Sequence, residues 1–262
     1  PTDFSEQAEN ALKVAAQLAK KNKSEIYVLN SLELPTHLSS SGANGAMPES
    51  LFFIKLAEKY FEELLEKPYL DGILIHEAII GHGEVYKDVK EAVKEKDIDM
   101  IIMGSQGTNG FMEMFIGSNT EKVVRTSNVP VLVIKNNHEN FKTENFIYAT
   151  DFSDECKTPF KQAIKFAEKT NTFINLLYIN TPSSFKTTKE INSKIKRFLK
   201  GMDETNFNIH IYNDISIEKG ILNFAGETNA HLIGLGTHGR SGLAHFFNGS
   251  ISEDLVNHAN MP

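Results

Sequence analysis

Two blocks of this chain occur twice, and a repeat on that scale restricts the fold to two copies of one unit. Residues 1–22, PTDFSEQAENALKVAAQLAKKN, align without gaps on residues 149–170, ATDFSDECKTPFKQAIKFAEKT, with eight identities in 22 positions at an offset of 148. Residues 104–130, GSQGTNGFMEMFIGSNTEKVVRTSNVP, align on residues 236–262, GTHGRSGLAHFFNGSISEDLVNHANMP, with ten identities in 27 at an offset of 132. The offsets differ by 16 residues, so the first copy carries extra sequence between its matched blocks. The Ser/Gly-rich THLSSSGANGAMPES at residues 36–50 is the place for much of it. Homologous domains at residues 1–140 and 141–262 follow, joined through the polar HENFKTE of residues 138–144.

Each copy alternates between two hydrophobic periods. In the first, Leu12, Ala15, Leu18 and Ala19 mark one face of a helix over 6–21, and IYVLN follows as a short buried strand. A helix over 51–66 ends before Pro68. Then come the strand ILIHEAII, a helix over 85–94, the strand DMIIMG, a helix over 118–125 and the strand VPVLVIK. In the second copy NFIYAT, FINLLYI, FNIHIY and AHLIGLG are the strands. Strands separated by helix-length segments define an α/β fold of right-handed crossovers, each copy a mostly parallel sheet with helices on both faces. The second copy has a strand ahead of its ATDFS and the first has one after its last helix, so a first and a last strand are expected to be missing at the chain ends. Both conspicuous motifs, TDFS and the glycine segment, follow strands and so fall on the carboxyl edge, where such sheets bind ligands.

The glycine segment reads G-x-x-G, nine residues, then G-S, at Gly104, Gly107, Gly117 and Ser118 and again at Gly236, Gly239, Gly249 and Ser250. Glycine lets backbone approach a ligand with no Cβ in the way. The later Gly-Ser falls at a helix start, where free N–H groups and the helix dipole favour an anion. Neither a Walker A loop nor G-x-G-x-x-G is present. A single copy would equally be a strand-to-helix turn with a serine cap. The same spacing twice, at the same edge of the same unit, favours the ligand.

These residues resemble the universal stress protein family, as two UspA-type domains in tandem. The pattern is an aspartate after the first strand, Asp3 and Asp151, with the late G-2x-G-9x-G-[ST] of each copy, and it covers nearly the whole chain. The resemblance implies a Rossmann-like fold related to adenine-nucleotide alpha hydrolases, and ATP as ligand, with Mg2+ allowed as its companion cation. It places Thr2 and Asp3 at the nucleoside in the first domain and Met103 and Gly104 beside adenine and ribose. Gly107, Gly117, Ser118 and Asn119 then hold the phosphates. The second set is Thr150, Asp151, Leu235, Gly236, Gly239, Gly249, Ser250 and Ile251. Only the second loop, THGRSG, offers His238 and Arg240 near the phosphates, and Arg240 suits charge-assisted bonds to them. The family also implies an intramolecular pseudo-dimer through the strand VPVLVIK, with a further homodimer left open.

Composition excludes several classes. With 27 Lys and Arg against 34 Asp and Glu, the net charge of −7 argues against a nucleic-acid binder. One cysteine, Cys156, leaves no internal disulfide and fits a reducing compartment. No apolar run approaches the length of a membrane span, so a cytoplasmic protein is expected. Cys156 occupies the place of Ala8 and is read as a small packed residue. The nine histidines show no metal-ligand spacing, and no catalytic constellation emerges from spacing. The expectation is a nucleotide-binding stress-response module, binding ranking above hydrolysis. A slow ATPase and an interaction protein with empty sites are the alternatives.

Overall fold

The computed structural model describes residues 1–32, 46–76, 79–81, 83–105, 117–202, 207–236, 259 and 261–262. The chain divides into two units, Pro1–Phe141 and Lys142–Pro262.

Unit 1 opens with α1, Glu6–Asn22, capped at its start by the Ser5 hydroxyl and closed by Lys23 in the left-handed region. Strand β1, Leu29–Ser31, follows, then α2, Ala46–Leu65, which stops ahead of Pro68. Strand β2 is Ile79–Gly81 and α3 is Val85–Glu95. Strand β3, Ile101–Gly104, precedes α4, Ser118–Thr126, and β4, Val131–Ile134. β1 pairs with β2 and β3 with β4, both in parallel. The two first strands are shorter than their apolar runs. Pairing begins with a bridge at Ile26 and Ile75 and resumes at Leu29 and Ile79.

In unit 2, β5 is Asn145–Ala149, α5 Lys157–Thr170, β6 Phe173–Asn180 and α6 Thr188–Phe198. Strand β7, Phe207–Asn213, α7, Ile217–Thr228, and β8, Leu232–Leu235, complete it. One parallel sheet runs in the order β7-β6-β5-β8. β5 joins β6 to β8. Among the described residues no strand joins β1 to β3.

Alternation along the strands explains the helical layers on both faces. Ile26 and Val28 lie with Leu12, Ala16 and Ala19 of α1 and Phe61 and Leu64 of α2. Their neighbour Leu29 turns the other way, to Val89 of α3, Ile101 and Met103 of β3 and Val123 of α4. Unit 2 does the same. Ile147, Ala149, Leu177 and Ile179 meet Ile221, Phe224 and Ala225 of α7, whereas Phe146 meets Phe166 of α5 edge to face and Tyr148 packs at a tilt on Phe160.

Backbone bonds reproduce both sequence offsets. Thr2 N–H donates to the Leu29 carbonyl at 2.7 Å, and Thr150 N–H to Leu177 at 2.9 Å, 148 residues on. Left-handed residues recur at Phe4 and Phe152 and at Lys23 and Asn171 with the same shift. At 132, Ile98 N–H to Val93 becomes Ala230 N–H to Ala225, and Ile101 N–H to Pro130 becomes Ile233 N–H to Pro262.

Candidate functional site

The TDFS segment folds into the same turn twice. Thr2 Oγ1 accepts from Phe4 N–H at 3.0 Å, and Thr150 Oγ1 from Phe152 N–H at 3.1 Å. Asp3 Oδ1 accepts from Ser5 N–H at 3.1 Å, and Asp151 Oδ1 from Ser153 N–H at 2.9 Å. The phenylalanine between has φ of 62° in one copy and 57° in the other. A bulky residue there is strained. The two flanking side-chain bonds and packing of the ring, Phe4 on Phe61 and Phe152 on Tyr178, hold it. Each aspartate thus fixes its own turn with one oxygen.

The copies then diverge. In unit 1 Ser5 Oγ donates to Asp3 Oδ1 at 2.6 Å and accepts from Ala8 N–H at 3.2 Å, so α1 starts at once. In unit 2 the Cys156 thiol donates to Asp151 Oδ1 at 3.3 Å and Ser153 Oγ donates to the sulfur. A 3-10 turn, Asp154–Cys156, intervenes before α5. Pro159, three positions into α5, has no N–H and tolerates only a first turn, which accounts for the later start. Burial pushes the Cys156 thiol up, so it stays protonated as a packed neighbour of Asp151. The Lys194 ammonium of α6 reaches the Asp151 carbonyl at 3.5 Å. Tyr178 is pushed up by burial and then by Asp151 and Glu190.

The second wall of the unit 1 site lies where β3 ends. Ser105 N–H donates to Ile134 and its carbonyl accepts from Gly117 N–H at 2.7 Å, so residues 105 and 117 are clamped together. Thr120 Oγ1 donates to the Gly104 carbonyl at 2.9 Å. A Cβ at Gly104 would lie 2.9 Å from the Gln7 carbonyl oxygen, which puts the first turn of α1, and with it the Asp3 turn, against the end of β3. Gly104 is therefore required by helix packing. Gly117 is not required by its backbone: φ is −61° and ψ 143°, and it caps α4 without a side-chain bond.

Thr2, Asp3, Gly104, Gly117, Ser118 and Asn119 are thus set along the carboxyl edge of unit 1. Met103 is 5% exposed and its side chain belongs to the core, leaving only its backbone for a ligand. In unit 2, Thr150 and Asp151 form the turn, Leu235 packs on the core, and Gly236 faces Pro159 and the Tyr148 hydroxyl. Gly107, Gly239, Arg240, Gly249, Ser250 and Ile251 lie outside the described residues, as does His238. Sequence reasoning missed Thr120, although Ser252 keeps a hydroxyl at the equivalent place. It also missed Lys194 and Tyr178, which have no counterpart in the repeated motifs. Among the described residues no group of three or more His, Cys, Asp or Glu could hold a metal, and no helix is long and apolar enough to cross a membrane.

A parallel α/β unit present twice, with the same aspartate turn at Asp3 and Asp151, matches the Universal stress protein family model over residues 1–135 and again over 142–262. The chain belongs to the universal stress protein family. It is similar to a universal stress protein of Methanocaldococcus jannaschii, 31% identical over 150 residues, which cover 52% of this chain and 91% of that protein. The crystal structure of a universal stress protein from Archaeoglobus fulgidus spans all of this chain and 94% of its own, at 23% identity and a TM-score of 0.73. It shows the same fold across both units. A universal stress protein has also been solved in complex with cAMP; at 17% identity, 46% of this chain, 94% of its own and a TM-score of 0.36, that likeness is too slight to assign a ligand here.

Proposed function

We propose that the chain is a stress-response regulatory module that binds ATP, one molecule in each unit. Gly117 carries this reading. Its φ and ψ suit any residue, and serine or aspartate would cap α4 better by a few tenths of a kcal/mol. A bare backbone at an uncapped helix start is what a phosphate needs, since N–H groups and dipole then face it directly. Ser118 adds a hydroxyl, and the clamp to Ser105 fixes the approach. In unit 2, Gly249 and Ser250 take the same roles by sequence, with Arg240 adding charge. The first site lacks that cation and holds the triphosphate less firmly. Asp3 and Asp151 each fix their own turn through Oδ1, and in this reading they meet the ribose or base. Mg2+ fits only as a companion of the phosphates.

Binding ranks above turnover, because the sequence spacing identifies no base or water-positioning residue beside the glycine segments. Calorimetric titration of ATP and adenosine into the whole chain tests the reading. Two sites per chain are expected, with adenosine weaker. Mass spectrometry of small molecules released on denaturation gives an independent readout. Absence of any nucleotide interaction by both measurements would overturn the proposal.

A further inference from the structure

Strand order decides where the base of the nucleotide proposed above falls, a placement that rests on that proposal. In unit 2 the carboxyl ends of β8, β5 and β6 lie side by side in that order. Gly236 follows β8 and the Asp151 turn follows β5. The end of β6 therefore lies two strand spacings, about 10 Å, from the glycine segment. Phosphates on the glycine segment and ribose at the turn leave the base over the end of β6. In unit 1 the equivalent strand is β1. The Thr2 bond to Leu29 repeats the Thr150 bond to Leu177, so Asn30 and Ser31 stand where unit 2 has Tyr178 and Ile179. The shift of 132 likewise puts Asp88 of α3 where α7 has Gly220.

At these places the two units differ in kind. In unit 2 the Tyr178 ring stacks on Phe152, 5.8 Å between centroids and 14° from parallel. Ile179 packs on Gly220, where a Cβ would lie 2.7 Å from Ile179 Cγ2. That strand end is apolar and closely packed. In unit 1 the Asp88 Oδ2 accepts from the Ser31 hydroxyl, and from Gly83 N–H at 3.1 Å, so a carboxylate sits at the end of β1. Asn30, 7% exposed, donates from Nδ2 to the Thr2 carbonyl at 2.8 Å. Its buried Oδ1 has no partner among the described residues. A buried acceptor is costly until a donor completes it. Alternation along β1 sets Asn30 on the face of Val28 and Ser31 on the face of Leu29. A base across this strand end thus has an acceptor on either side.

We propose that unit 1 selects for a base with an exocyclic amino group, as adenine has, and that unit 2 does not. Asn30 Oδ1 and the Asp88 carboxylate only accept, and an amino group supplies two N–H donors. A ligand without that group leaves buried acceptors unmet, which discriminates more strongly than the loss of an apolar contact. Tyr178 and Ile179 present unit 2 with apolar surface, which holds a purine with or without the group. One site discriminates and the other is permissive, a difference that the shared glycine motif does not reveal.

Calorimetric titration of the full chain with ATP and with purine riboside triphosphate, which is ATP without its amino group, tests this. ATP is expected at both sites. The analogue should bind one site as ATP does and the other about tenfold or more weakly. Hydrogen exchange names the weak site: the analogue should slow amides of β5 and β6 at concentrations that leave β1 and β3 unchanged. N30Y/S31I/D88G, which sets unit 2's residues into unit 1, should bind the analogue at both sites. Analogue binding at both sites of the natural chain as tightly as ATP overturns the proposal, whether or not the triple variant folds. A weak site in unit 2 overturns it equally, as does a triple variant that folds, by urea denaturation, and still discriminates. Failure of ATP itself to bind strikes the nucleotide reading and this proposal together. ATP at two sites with no discrimination strikes this one alone.

Discussion

A methyl group at position 104 would fall 2.9 Å from the Gln7 carbonyl oxygen and 3.0 Å from its carbonyl carbon, both backbone atoms that cannot swing aside. Gly104→Ala must therefore push α1 off the end of β3. A loss of about 1–3 kcal/mol in the stability of unit 1 is expected, read from urea denaturation. Thr120 works from the other side of the same strand end. Thr120→Val keeps the shape and removes the donor to the Gly104 carbonyl, leaving a buried acceptor unmet at about 1–3 kcal/mol. Denaturation of that variant should show the cost, and ATP affinity in unit 1 should fall with it as the clamp loosens. Lys23 predicts the opposite sign. It closes α1 at φ 53°, exposed, and its own backbone N–H bonds to Ala19. Lys23→Gly removes Cβ strain without removing a contact, so a gain of about 0.5–1 kcal/mol is expected by the same measurement. These three residues also mark where the sequence was legible. Gly104 stood out as a glycine, but its cause is helix packing, a contact between positions far apart along the chain that no local pattern encodes. Thr120 did not stand out, because a hydroxyl in the first turn of a helix reads as surface.

At the scale of elements, the alternation of helix and strand was readable throughout because each apolar run is bounded by turn chemistry and the two copies corroborate each other. What the runs could not give was where pairing stops. Among the described residues IYVLN pairs with its neighbour through Ile26 and then from Leu29 onward, since hydrogen-bond register depends on the partner strand. The short 3-10 turn Pro68–Leu70 that follows α2 gives a pH prediction. Among the described residues the buried Tyr69 hydroxyl has no hydrogen-bond partner, and burial, with Glu9 adding to it, pushes its pKa up to about 12. A raised folded pKa means that the neutral phenol is favoured in the folded state. Its contribution is fully present below the unfolded value near 10 and is lost as pH rises from there toward 12. Stability of unit 1 should therefore fall over about pH 10–12. Tyr69→Phe should flatten that fall, with little change at neutral pH because the hydroxyl removed has no partner. Denaturation midpoints of the two proteins across the alkaline range decide it; parallel curves would show that Tyr69 is not the group responsible.

Over the whole molecule, two copies of one unit let each serve as the internal control for the other. The left-handed residues and strand-edge bonds recur at offsets of 148 and 132, so a change confined to one glycine-serine segment leaves an intact copy in the same chain. Gly117 is the informative position. Its φ of −61° and ψ of 143° accommodate valine, so Gly117→Val should fold with nearly unchanged stability while its side chain fills the space proposed for phosphate. The number of ATP sites per chain should fall from two to one by calorimetry, and Gly249→Val should do the same in unit 2. Linkage supplies the second readout. ATP at about a hundredfold above its dissociation constant stabilises the unit that binds it by about 2.7 kcal/mol. In Gly117→Val, hydrogen exchange in the presence of ATP should slow for amides of β5 and β6 and stay unchanged for those of β1 and β3. In Gly249→Val the pattern should invert. If Gly117→Val still takes two ATP per chain and protection rises in both units, the glycine-serine helix start is only a turn and the nucleotide reading of this edge is wrong.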